Sequence, residues 1–311
     1  MKIIVTGGAG FVGSHLSKLL VKKKHFPIIV DNLNSGLYSN VKYLVNAHNA
    51  KFIKCDIRNF KKVMQLPKVD AVIHLAAIAS VVESIDNPNL VNDVNINGTL
   101  NILEFCRKKK IKKLVFTSSA AIYGDYEKKI NETSPTIPTS VYGSTKLTGE
   151  QYCKIYSDLF GINITVLRPF NIFGPHQNDA YAGVISKFMD RLNENKLPII
   201  FGNGKQTRDF IHVDDVTKAF YLALKYKKKK FDFFNLATGK STSINKLSKI
   251  FLLAAKKPNL KPIHKKSIPG VVVHSSTNPK KIKQNLHFIP TISLRDGITK
   301  FVNSHVLYND K

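Results

Sequence analysis

The opening stretch, MKIIVTGGAGFVGSHLSKLL, constrains this chain more than any other segment. A β-branched run, KIIVTG, passes directly into residues with a helical repeat of apolar positions. Glycines stand at 7, 10 and 13 across the junction. A strand, a tight turn and a helix are the simplest structure with both periodicities. Gly7 permits the turn, Gly10 lets the backbone approach a pyrophosphate, and Gly13 lets the helix lie against the strand. The amides and partial positive charge at that helix N-terminus then face an anion. Three glycines alone also fit a merely flexible turn. Their place between strand and helix favours a dinucleotide site.

The first 174 residues repeat this alternation. FPIIVDNL, AKFIKCDI, VDAVIHLAA, IKKLVFTSSAAIYG and INITVLRPFNIFG read as further strands. Between them lie helical stretches, among them PNLVNDVNINGTLNILEFCRKK and a long helix from near Val141 to about Phe160. The apolar runs are nearly continuous, as in strands buried on both faces. We expect an α/β fold, a doubly wound parallel (Rossmann) sheet, over residues 1–174. FDFFNLA, within 231–240, is expected to return to that sheet. Residues 175–311 otherwise read as a smaller C-terminal substrate-binding lobe, with a strand-like VVVHS and two short helices in its tail.

Asp31 closes the second strand, 18 residues after Gly13. Its carboxylate suits the two hydroxyls of an adenosine ribose and repels a 2'-phosphate, so NAD is favoured over NADP. Asp56, ending the third strand, can accept from an adenine amino group or cap the next turn.

Three well-separated cysteines and no CxxC argue against a disulfide framework or structural zinc, and we expect no metal. The formal charge of +27 raises nucleic acid as a partner, but only 6 of the 48 basic residues are arginine. The lysines cluster in runs at the ends of expected helices, where cations suit the helix C-terminus. The glycines interrupt any signal-like apolar run at the start, and no stretch reaches membrane-spanning length. We expect a cytoplasmic protein with neither nucleic acid nor membrane as partner.

Ser118 and Ser119 end the fifth strand, at the sheet edge where such folds bind ligands. Tyr142 and Lys146 lie one turn apart at the start of the next helix. Spacing alone leaves ordinary helix support and catalysis both open. If the three groups meet beside a nicotinamide, the Lys146 ammonium favours a phenolate at Tyr142, and Ser119 holds the substrate hydroxyl or relays its proton.

TGGAGFVG, HLAA at 74–77, TSSAAIYG at 117–124, YGSTK at 142–146, RPFNIFGP at 168–175 and RDFIHVDD at 208–215 resemble the extended short-chain dehydrogenase/reductase family. Within it the chain is most similar to UDP-glucose 4-epimerases, along essentially its whole length. The resemblance implies tightly held NAD and a homodimer built on the helices near 89–107 and after Tyr142. It also implies epimerisation through a transient 4-keto UDP-sugar. Catalysis would fall to Ser119, Tyr142 and Lys146. Cofactor positions would be Gly7, Gly10 and Gly13 with Phe11 and Val12 between them, then Asp31 and Asn32, and Asp56 and Ile57. Leu75, Ala76, Ala77 and Asn95 follow, and Tyr142 and Lys146 reach the cofactor as well. Asn171, Phe201 and Arg208 would join Ser119 on the substrate.

Sugar dehydratases of the family carry Asp-Glu where this chain has Ala120–Ala121. An elimination needs an acid and a base there, so the alanines favour an epimerase. The sugar stays open between UDP-glucose/galactose and the N-acetyl counterparts. Many relatives read RPGDVRHS where this chain has IPGVVVHS, residues 268–275. If the first of those arginines holds the diphosphate, the exchange removes one donor, for which His274, Lys265 or Lys266 could substitute; the alternatives are a different substrate or weak activity.

Overall fold

A continuous apolar strand presents alternate residues to opposite faces, and β1 (Lys2–Thr6) does so in the computed structural model. The structure describes residues 1–126, 129–177, 183–267 and 274–309. After β1 come α1 (Phe11–Lys22), β2 (Phe26–Asp31), α2 (Ser39–Asn46), β3 (Lys51–Lys54), α3 (Phe60–Met64) and β4 (Ala71–His74). Next are α4 (Val81–Asp86), α5 (Pro88–Asn92), α6 (Gly98–Lys108), β5 (Lys113–Thr117), α7 (Val141–Phe160), β6 (Asn163–Pro169) and β7 (Asn171–Phe173). The chain continues through α8 (Val184–Asn193), β8 (Ile199–Phe201), β9 (Thr207–His212), α9 (Val213–Lys225), β10 (Phe231–Leu236) and β11 (Ser241–Ser243). It ends with α10 (Ile244–Ala254), β12 (Ile263–Lys265), β13 (His274–Ser275), α11 (Lys280–Leu286) and α12 (Leu294–Asn309).

The main sheet is parallel throughout, in the order β3-β2-β1-β4-β5-β6-β10. Ile3 and Val5 pack with Leu16 and Leu20 of α1 and Phe220 of α9 on one face. Ile4 and Val72 pack with Leu103 of α6 and Cys153 of α7 on the other. Strand order reverses at β1 and β4, which opens a crevice at the carboxyl edge between them. Beyond it, Phe173, Phe188, Phe251 and Phe301 form the core of a smaller lobe.

Three segments differ from expectation. The helix expected over PNLVNDVNINGTLNILEFCRKK is divided into α5, a π-helical turn (Asp93–Asn97) and α6. At the centre of the turn the Asn95 side chain is drawn inward to Ile78 and Thr145. The sixth strand splits after Pro169, and β7 leaves the main sheet to pair with β9. The last helix is 16 residues long, not short. Ser293 caps its first turn through Asp296 N, and Ile298, Phe301 and Val302 bury its apolar side in the lobe core. Among the described residues no helix is long and apolar enough to cross a membrane.

Candidate active site

The glycine junction forms one wall of a cleft of about 680 Å³. Gly7 has φ of +65°, and a Cβ there would lie 2.8 Å from the Ala76 nitrogen. A Cβ on Gly13 would lie 2.2 Å from the Gly7 carbonyl oxygen. Helix α1 has no side-chain cap at Gly10, and Phe11, Val12 and Gly13 line the cleft. Amides of that first turn are therefore left for an anionic guest.

Asp31 also lines the cleft. Its carboxylate accepts from the backbone nitrogens of Ala9 (3.0 Å) and Leu33 (2.8 Å). Burial raises its pKa, with those amides acting against the rise. Asp56 receives the Arg58 nitrogens Nε at 3.1 Å and Nη2 at 2.8 Å, the Arg58 amide at 2.9 Å and Asn32 Nδ2 at 3.0 Å. The Arg58 guanidinium is the main reason its pKa falls to about 2. Its two oxygens are thus filled by the protein. Asn32 and Ile57 lie beside it on the same wall.

The opposite wall carries Ser119 and Tyr142. Ser119 follows β5 and caps a 3-10 turn, accepting from the Ala121 amide at 3.1 Å. Ser140 caps α7 through the Gly143 amide, which fixes where Tyr142 enters the helix. Tyr142 is largely buried. Lys146, one turn on, lies behind it and donates Nζ to the Thr117 carbonyl at 2.9 Å. Burial lowers the Lys146 pKa to about 8, with Cys153 and then Glu150 acting against the drop. Leu75, Ala76 and Ala77 join the cleft at the end of β4. Asn95 does not line it. Its amide is spent on Ile78, at 2.8 Å to the nitrogen and 3.0 Å to the oxygen, and on Thr145 at 3.0 Å.

Asn171, Phe201 and Arg208 line the end of the cleft beneath the small lobe. Asn171 donates to the Asp209 carbonyl, and Phe201 is 39% exposed at the end of β8. Two acids near Arg208 in the sequence are engaged by other groups. The Asp209 carboxylate accepts from Thr238 and Gly239, and Asp214 bonds His15. Residues 268–273, most of the IPGVVVHS exchange, lie outside the described residues.

Residues 3–237 match the model of the NAD dependent epimerase/dehydratase family. The chain belongs to this family. A putative UDP-glucose 4-epimerase of Methanocaldococcus jannaschii is 40% identical, over 97% of each chain. The crystal structure of the Thermotoga maritima UDP-glucose 4-epimerase with UDP-glucose superposes with a TM-score of 0.94 at 34% identity, covering 99% of this chain and 100% of that one. The UDP-glucuronic acid 4-epimerase of Bacillus cereus, solved as a mutant with a fluorinated substrate analogue and NAD, gives 0.92 at 31% identity, covering 99% and 100%.

As an epimerase/dehydratase family member the chain uses NAD, in NAD-dependent chemistry on a nucleotide sugar. The uncapped α1 amides, the close-packed glycines and the Asp31 carboxylate fit that dinucleotide.

Sequence reasoning missed several groups that hold the site. Arg58, two residues after Asp56, fills that carboxylate. The Thr117 carbonyl receives Lys146, and Glu150 of α7 grips Arg168 of β6. An acid and a base two residues apart was the only local signal for the first, and the others are contacts between distant elements.

Proposed function

We propose that the chain interconverts the C4 epimers of a UDP-hexose, with UDP-glucose and UDP-galactose as the principal pair. The observation that carries this is one cleft joining the glycine junction to Ser119 and Tyr142, with alanines at 120 and 121. Bound NAD supplies a reversible acceptor for the hydrogen and electron pair at C4. Tyr142 takes the proton of the 4-hydroxyl and later returns it. Lys146 is mostly charged at neutral pH, since its pKa of about 8 lies above that range. Its ammonium one turn from the phenol favours the phenolate. Ser119 receives the Ala121 amide on its oxygen, which leaves its hydroxyl hydrogen to orient the sugar.

Arg208 supplies a planar fork for the diphosphate, and Phe201 a flat face for the base. The turn after Ser119 lacks the acid and base an elimination needs, which supports epimerisation over dehydration. The protein would act as a homodimer. Val82 and Ile85 on α4, with Ile155 and Leu159 on α7, give these two contacting helices an exposed apolar surface suited to a second copy.

Purified protein without added NAD should convert UDP-galactose to UDP-glucose. Tyr142→Phe should lower kcat by about a hundredfold to ten-thousandfold while NAD stays bound. Products from UDP-glucose, UDP-galactose, their N-acetyl forms and UDP-glucuronate would be separated chromatographically. Wild-type turnover in Tyr142→Phe would remove Tyr142 from this role. Preference for another sugar would move the substrate but keep the chemistry.

A further inference from the structure

His74 is 2% exposed at the cleft end of β4, and both its ring nitrogens are engaged. Nδ1 lies 2.6 Å from Thr6 Oγ1, and Nε2 lies 3.0 Å from Thr99 Oγ1. The partners of the two threonines fix every proton. Thr99 donates its hydroxyl to the Asn95 carbonyl at 2.6 Å, so its oxygen must accept from His74 Nε2–H. The oxygen of Thr6 accepts the amides of Leu75 and Ala76, both at 3.2 Å. Its own proton then goes to a bare His74 Nδ1.

The line continues through Asn95. This side chain clasps both backbone groups of Ile78 and donates to Thr145 Oγ1, which in turn donates to the Tyr142 carbonyl at 2.8 Å. Asn95 stands in the π-helical turn, a distortion frequent at functional sites. Its carbonyl is the one the Thr99 hydroxyl meets. One unbroken line of bonds therefore joins the β4 amides on the cofactor side to the first turn of the catalytic helix.

We propose that His74 is a positioning residue for Tyr142, acting as a neutral Nε2–H ring that fixes Asn95 through Thr99 and the Leu75–Ala76 amides through Thr6. This rests on the role given to Tyr142 above. The ring is held in one state from two directions. Burial, and then the nearby Lys146 charge, drive its pKa down to about 3. A second tautomer would leave the Thr6 and Thr99 bonds mismatched. The imidazole does not line the cleft, so its effect falls on geometry and not on affinity.

Thr99→Val removes the hydroxyl at nearly constant shape, and Thr99→Ser restores it. In the NAD-loaded enzyme Thr99→Val should lower kcat by about tenfold to a hundredfold, as a small displacement of a reacting group does. KM should be little changed and NAD retained, with Thr99→Ser close to wild type. A wild-type kcat in Thr99→Val, or equal losses in both variants, would overturn the proposal. Nitrogen NMR of labelled histidine, assigned with His74→Phe, should show a neutral Nε2–H ring. An Nδ1–H ring or an imidazolium would also overturn it. If the wild type turned over no UDP-hexose, the proposed function would fall instead, and the NMR would still read the linkage directly.

Discussion

A Cβ at Gly13 would meet the Gly7 carbonyl oxygen at 2.2 Å and Gly8 Cα at 2.6 Å, and neither can rotate away. Gly13→Ala should therefore push α1 off β1 and scatter the amides at its N-terminus. We expect the variant to purify without NAD, as read from the nucleotide released on denaturation. Gly161 makes the control. Its φ is +63°, yet an added Cβ has nothing within 4 Å, so Gly161→Ala should cost only about 1 kcal/mol and retain NAD. A half-buried lysine gives a pH test away from the cleft. Lys113 Nζ donates to Asn163 Oδ1, Thr165 Oγ1 and the Tyr226 carbonyl. Burial, with Lys227 adding repulsion, lowers its pKa to about 7. Between that value and the ordinary lysine range the unfolded chain binds the extra proton, so folding stability rises with pH. Below pH 7 both states are charged and the penalty is complete. Urea titrations should show wild type gaining on the order of 1–3 kcal/mol relative to Lys113→Met between neutral pH and about pH 10. A constant difference would show that Lys113 titrates normally.

Helix α7 is tied to the sheet by a buried ion pair. Arg168 of β6 donates Nε to Glu150 Oε1 at 2.8 Å and Nη2 to Oε2 at 2.6 Å. Its Nη1 reaches the Tyr123 hydroxyl, which donates to Asn235 of β10. Removing one partner strands a buried charge. Arg168→Met should cost about 3–5 kcal/mol in urea unfolding, and adding Glu150→Leu should recover much of it. No recovery would mean that Arg168 acts mainly through Tyr123. The ends of α7 were legible because both are local signals: Ser140 caps the start, and Gly161 takes a left-handed φ at the end. The π-helical turn was not legible. Its cause is Asn95 bonding Ile78 and Thr145, 17 and 50 residues away. The departure of β7 was hidden for the same reason, since its partner β9 lies in the other lobe. Tyr142, Ser119 and the glycines could be placed from motif and sheet edge. Arg168–Glu150 and His74–Thr99 are contacts between separate elements, and no spacing announces them.

Across the whole molecule the fold sorts the charge. The lysine runs at 22–24, 108–110 and 227–230 follow or end α1, α6 and α9. These helices run against a wholly parallel sheet, so their C-termini gather at the strand N-terminal edge, opposite the cleft. Lys23 and Lys225 confirm the convergence, since both stand over the Tyr221 ring, at 5.5 and 4.5 Å. A sequence shows that each run ends a helix, but only the topology shows that the runs share an edge. With a formal charge of +27, repulsion at that edge opposes the folded state, and salt screens it over about 10 Å at 0.1 M. The melting temperature should therefore rise as sodium chloride is added from low ionic strength. Replacing Lys227–Lys230 with glutamine should raise the low-salt value and flatten the dependence. It should leave kcat unchanged, because the cleft lies at the other edge of the sheet. Calorimetry on the NAD-loaded protein reads both effects. A melting temperature that falls with salt, or a slope unaffected by the four substitutions, would show that this edge is balanced by charges elsewhere and does not strain the fold.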